Sequence, residues 1–156
     1  MNEIQSIGFI GGGNMAAAII GGICRKKYMK PDNISVYDPD MNKTAALQKE
    51  WGIRVSTDID TLASQCDWLV LAVKPNIIPQ VLTELKNAGD IGRRVIVSIA
   101  AGVSIEQLYS GIGGDVPIVR VMPNTPAMVG EGMSVLCGNG HAQGEVLATA
   151  QSLFQN

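Results

Sequence analysis

The sequence predicts an α/β fold of the Rossmann type: a doubly wound, mainly parallel sheet with helices on both faces. Three observations carry that expectation. Strand and helix signals alternate almost without a break along 156 residues. The segments Trp68–Val73 and Val95–Ile99 are apolar runs with little alternation, as in strands buried on both faces of a parallel sheet. The first strand runs straight into Gly11-Gly12-Gly13-Asn14-Met15-Ala16, a G-x-G-x-x-A string that opens a helix.

The elements follow in order. Ile4–Ile10 reads as the first strand and Asn14–Lys27 as the first helix. That helix carries small residues toward the strand, Gly21-Gly22 as a soft spot or a close-packing point, and the cations Arg25-Lys26-Lys27 where the dipole favours them. Pro31-Asp32-Asn33 turns the chain into the strand Ile34–Tyr37. Asp40 is placed to cap a helix over Met41–Trp51, which Gly52 terminates. Ile53–Val55 is a short strand and Asp58–Gln65 a short helix. Pro75 ends the strand Trp68–Val73, and a helix follows over Ile77–Asn87. After Val95–Ile99 and the small residues Ala100-Ala101-Gly102, Ser104 with Glu106-Gln107 after it resembles a capping box for a helix over Ser104–Ser110. Pro117–Met122 and Ser134–Leu136 are further strands, and Gly144–Phe154 is a last helix. The connections should be right-handed crossovers. No repeat, low-complexity tract or linker interrupts the chain, so residues 1–156 are expected to form one domain.

Composition narrows the function classes. Hydrophobic residues make up 46% and charged residues 17%, a globular balance. The net charge is −2 and no basic run exceeds three residues, which excludes a nucleic-acid footprint. The uncharged stretch Ile4–Ile23 follows Glu3 and contains three consecutive glycines, unlike a signal peptide or a membrane span. Cys24, Cys66 and Cys137 are odd in number and far apart, which favours a reducing, cytoplasmic location. A single histidine, His141, rules out a multi-histidine metal centre and reads as a surface or capping residue. The seven methionines read as core filler.

The positions that bear chemistry gather at strand ends. In the glycine string, Gly11 permits a tight turn, Gly13 lets backbone approach a pyrophosphate, and Ala16 lets the helix pack against the strand. The helix then aims its free N–H groups at the phosphates. Asp38, 22 residues beyond Ala16, ends the second strand. It either accepts hydrogen bonds from an adenosine ribose, which favours NAD over NADP, or only starts the Asp-Pro turn or caps the next helix. Ala72-Val73-Lys74-Pro75 lies at the carboxyl end of the fourth strand, where ligands of open α/β sheets bind. Lys74 there touches cofactor or substrate, or is a solvated loop lysine. The small residues around Ala101 would admit a flat ring or simply make a turn. Asn124 and Thr125, between two prolines, would orient a carboxamide or satisfy an Asx-turn. No carboxylate pair is placed for acid–base work.

Together these stretches resemble the pyrroline-5-carboxylate reductases. The resemblance rests on Ile7–Met15, Ala72–Pro75, Val97–Val103 and Met122-Pro123-Asn124-Thr125-Pro126, in that order. It implies reduction of the cyclic imine of pyrroline-5-carboxylate to proline by hydride from NADPH or NADH. It also implies dinucleotide contacts from Ile10, Gly11, Gly12, Gly13, Asn14, Met15, Ala72, Val73, Lys74 and Ala101, and from Asn124. Asp38 departs from the family, which often has Ser, Thr or Asn-Arg at that place and commonly prefers NADP. The family continues into a helical, dimer-forming domain with substrate motifs that have no counterpart by Asn156. The expectation is therefore a cofactor-binding half that holds dinucleotide yet turns over poorly alone, with the substrate and a homo-oligomer belonging to the full-length enzyme. Two alternatives are another oxidoreductase of the β-hydroxyacid dehydrogenase or imine reductase type, and a non-catalytic dinucleotide-binding module.

Overall fold

A computed structural model describes residues 4–89, 91–123 and 134–154. Among these, seven strands form one sheet: β1 (Ile7–Ile10), β2 (Ile34–Tyr37), β3 (Arg54–Val55), β4 (Trp68–Leu71), β5 (Val95–Ser98), β6 (Ile118–Pro123) and β7 (Ser134–Gly138). The helices are α1 (Asn14–Arg25), α2 (Met41–Trp51), α3 (Ile59–Gln65), α4 (Ile78–Asn87), α5 (Ile105–Ile112) and α6 (Glu145–Phe154). The spatial order is β3-β2-β1-β4-β5-β6-β7. Every neighbouring pair is parallel except β6 with β7. Strand order reverses between β1 and β4, which opens a crevice at their carboxyl ends.

Period-two side-chain placement feeds both layers. Ile7 and Phe9 join α1, α2 and α6 through Ile20, Leu47 and Leu153 on one face. Ile10 joins α3, α4 and α5 through Leu62, Leu85 and Leu108 on the other. Gly8 faces that second layer as well. A Cβ there would fall 2.8 Å from Leu62 Cγ and 2.9 Å from Cys66 Sγ, so α3 packs on bare strand backbone. Arg94 fastens the end of the same helix by donating from Nε to the Ala63 carbonyl at 2.8 Å. Gly21 is a close-packing point: its Cβ would lie 3.1 Å from Trp51 Cζ2, and the Arg25 guanidinium lies 5.7 Å from that ring's centroid.

Several boundaries differ from the sequence reading, each for a local reason. The first strand begins at Ile7, the first residue paired on both sides, with Ile34 and Trp68. Ser6 before it is held on the β4 side alone, its hydroxyl accepting from the Asp67 N–H at 2.9 Å and its carbonyl from the Trp68 N–H at 3.2 Å. The first helix ends at Arg25. The Lys27 N–H donates to the Cys24 carbonyl and the Tyr28 N–H to the Ile23 carbonyl, a Schellman closure. Lys27 takes the left-handed position with φ +53°, where a glycine is usual, so no glycine marked the last residue of the helix. The fourth strand stops at Leu71, two residues early, and Pro75–Ile77 forms a single tight turn before α4. The helix after Ser104 runs on to Ile112, because Leu108 and Ile112 share its buried face. The last strand extends to Gly138 and is antiparallel. Only ten residues separate β6 from β7, too few for the crossover a parallel return needs.

Replacing Lys27 by Gly removes the left-handed strain while adding glycine's unfolded-state entropy. The net expectation is stabilisation by about 0.5–1 kcal/mol, read as a raised urea midpoint at unchanged slope. Burial pushes the Cys66 thiol up to about 11, whereas Cys137 is exposed. Iodoacetamide at mildly alkaline pH should alkylate Cys137 promptly and Cys66 only as the fold opens. Equal rates for the two would show that α3 does not seal against β1.

Candidate functional site

The glycine turn is set by what stands beside it. Gly11 has φ +109°, and a Cβ on it would lie 2.5 Å from the Ala72 carbonyl oxygen. Its N–H donates to the Tyr37 carbonyl at 2.7 Å, so the turn is gripped from β2 on one side and β4 on the other. Gly12 donates its N–H to Asp38 Oδ2 at 2.8 Å. Gly13, the N-cap of α1, is different: a Cβ on it would meet nothing within 4 Å. Its position is open to an incoming group.

Helix α1 is also left without a side-chain cap and without an acid in its first turn. Helices α2, α3 and α5 are capped by Asp40, Asp58 and Ser104, the last as a full capping box. Accepting a hydrogen bond from the Thr61 N–H holds the Asp58 carboxyl below its usual range. The first-turn N–H groups of α1, by contrast, face outward with the positive end of the dipole and no carboxylate to answer them.

An open cleft of about 370 Å³ lies against this turn. Of the residues singled out in the sequence, it is lined by Ile10, Gly11, Gly13, Asp38, Ala72, Val73 and Lys74. Gly12 sits just behind, tied to Asp38. Asn14 is exposed and Met15 half-buried in the first turn of α1, outside the lining. Ala101 is exposed on the turn after β5 and does not reach this cleft, and Asn124 lies outside the described residues. Asp38 starts the Asp-Pro turn and also makes a contact to the glycine turn that the sequence reading did not include. While Oδ2 accepts from Gly12, Oδ1 accepts from the Asp40 N–H at 2.8 Å, so one carboxylate makes the Asp-Pro turn and braces the glycine turn.

Sequence reasoning missed the far wall. Ile77, Gln80, Val81 and Glu84 line the cleft from the start of α4 and the turn before it, with Tyr37, Pro39, Lys43 and Ile59 completing it. The signal was present as a three-and-four spacing beside the buried stripe Ile78, Val81, Leu82 and Leu85. Nothing in a single sequence says which border of such a stripe faces a ligand. His141 stands elsewhere, stacked on Tyr109 with ring centroids 6.2 Å apart and paired to Asp115 at 3.5 Å. Among the described residues, no three His, Cys, Asp or Glu side chains gather as a metal site. Nor, among them, is any helix long and apolar enough to cross a membrane.

The model of the family described as "NADP oxidoreductase coenzyme F420-dependent" matches residues 6–102, more than half of the chain. The chain belongs to that family. It is 39% identical over 151 residues to pyrroline-5-carboxylate reductase of Escherichia coli K12, covering 97% of this chain and 56% of that protein. The structure of a pyrroline-5-carboxylate reductase from Coxiella burnetii superposes with a TM-score of 0.92 at 33% identity, covering 99% of this chain and 56% of that one. The Plasmodium falciparum pyrroline carboxylate reductase, crystallised with NADP bound, gives 0.85 at 31% identity, covering 99% and 55%. The chain thus spans about half the length of the curated relatives it matches.

Gly11→Ala should cost about 2–4 kcal/mol, since it adds left-handed strain to a clash with backbone that cannot move aside. Chemical denaturation measures this. A variant as stable as the parent would mean that Gly11 and Ala72 are not in close approach.

Proposed function

We propose that this chain is the cofactor-binding half of a pyrroline-5-carboxylate reductase, holding NAD(P)H for reduction of the cyclic imine to proline. The observation that carries this reading is likeness to enzymes of that name along 97% of the chain. The chain's own residues fit such a cofactor. The vacant volume over Gly13, the uncapped start of α1 and the adjoining cleft make a cradle for an anionic, elongated ligand. When bound, the dihydronicotinamide supplies the hydride.

In this reading each residue has a positional task. The turn Ile10–Met15 binds the pyrophosphate through backbone N–H groups, with the Asn14 and Met15 amides at the helix start. Asp38 receives adenosine ribose hydroxyls. Ala72, Val73 and Lys74, with Ile77 and Val81 opposite, enclose the adenosine end. Ala101 leaves room for the nicotinamide ring, and Asn124 orients its carboxamide. Residues 1–156 act as one dinucleotide-binding domain. The complete enzyme binds pyrroline-5-carboxylate and is a homo-oligomer by resemblance. A cytoplasmic location suits its three free cysteines.

Calorimetric titration of the chain with reduced dinucleotides tests the binding half of this proposal. Gly13→Ala should weaken binding by roughly tenfold or more while leaving the melting temperature within a few degrees, because its methyl enters ligand space and no protein atom. The longest reading frame that contains this sequence, supplied with pyrroline-5-carboxylate and reduced dinucleotide, should yield proline. Turnover of 3-hydroxy acids and none of the imine would overturn the substrate assignment.

A further inference from the structure

We infer that Asp38 makes this site select NADH over NADPH. The inference rests on the reading of the cleft as a dinucleotide site and goes beyond it, to the group that the adenosine ribose must carry. What decides it is that the carboxylate cannot leave.

Each oxygen of Asp38 is already committed once, Oδ2 to the Gly12 N–H and Oδ1 to the Asp40 N–H, both at 2.8 Å. A carboxylate oxygen can accept about two hydrogen bonds, so each retains capacity for one more donor. The two hydroxyls of an unmodified ribose supply two donors side by side. A 2′-phosphate supplies acceptors and negative charge, and meets a fixed negative charge.

In many sites a side chain would rotate away from such a clash. Here rotation breaks both backbone contacts at once and releases the glycine turn from the end of β2. The main chain is held too, since Pro39 confines the backbone of residue 38 to the extended region. The opposing cations are Lys43 and Lys74, which both line the cleft. Both are exposed, on long stems that must be ordered before their charges count, and an exposed ammonium–anion pair contributes little. A preorganised carboxylate therefore outweighs mobile ammonium groups.

Titrating the chain calorimetrically with NADH and NADPH should give a dissociation constant at least about tenfold lower for NADH. Competition by 5′-AMP and by 2′,5′-ADP isolates the adenosine end, and 5′-AMP should compete better despite carrying less charge. In Asp38→Asn, which keeps an acceptor for the Gly12 N–H, the NADH preference should fall to within a few-fold. Should that variant not fold, the two nucleotides compared on the parent chain still decide the matter. NADPH binding as tight as NADH, or 2′,5′-ADP competing better than 5′-AMP, overturns the selectivity and leaves the dinucleotide reading standing. Binding of neither dinucleotide overturns both.

Discussion

The carbonyl oxygen of Ala72 occupies the place where a side chain on residue 11 would begin. That single exclusion organises the carboxyl edge of the sheet. It lets β1 and β4 stay hydrogen-bonded to their last residues, with the Ala72 N–H reaching the Ile10 carbonyl at 2.8 Å, before the two chains part. The chain leaving β1 must then turn at once, and α1 starts with its amide end over the crevice. The same turn brings the Gly12 N–H within reach of Asp38. Helix direction, carboxylate position and cleft shape are thus consequences of one close approach between backbones, which no residue but glycine permits.

Much of this was legible because it is local. Asp40, Ser104 and Gly52 act as caps where their side chains or conformational freedom predict it. The glycine turn and Asp38 likewise fall at strand ends, as their spacing requires. What escaped the sequence depends on partners far along the chain. Lys27 adopts a left-handed conformation with no glycine to announce it. The reversed direction of β7 follows from the length of the segment before it and from Asn139, whose side chain exchanges hydrogen bonds with Ile118 and Val116. The α4 wall of the cleft is invisible for the same reason: Gln80 and Glu84 are ordinary solvent-border residues until the turn at Pro75 aims them.

The cleft also has an unequal distribution of its expected parts. Its described walls gather the residues suited to phosphates and to an adenosine, from β1, β2 and β4. Ala101, expected beside the nicotinamide, stands on an exposed turn beyond that lining. In the proposed reading, the phosphates and the adenosine meet the cleft built against three adjacent strands, and the nicotinamide extends beyond it.

The missing side chain of Gly8 has a reach beyond its own strand. Leu62 and Cys66 settle into the notch it leaves, and Arg94 holds the helix end there. Helix α3 is consequently keyed to the sheet like a tooth in a rack, unable to slide along β1 without riding up on a neighbouring side chain. Ile59, at the other end of that helix, forms part of the cleft wall. A glycine on the buried underside of the sheet thereby fixes the position of a surface the ligand would meet, without touching it.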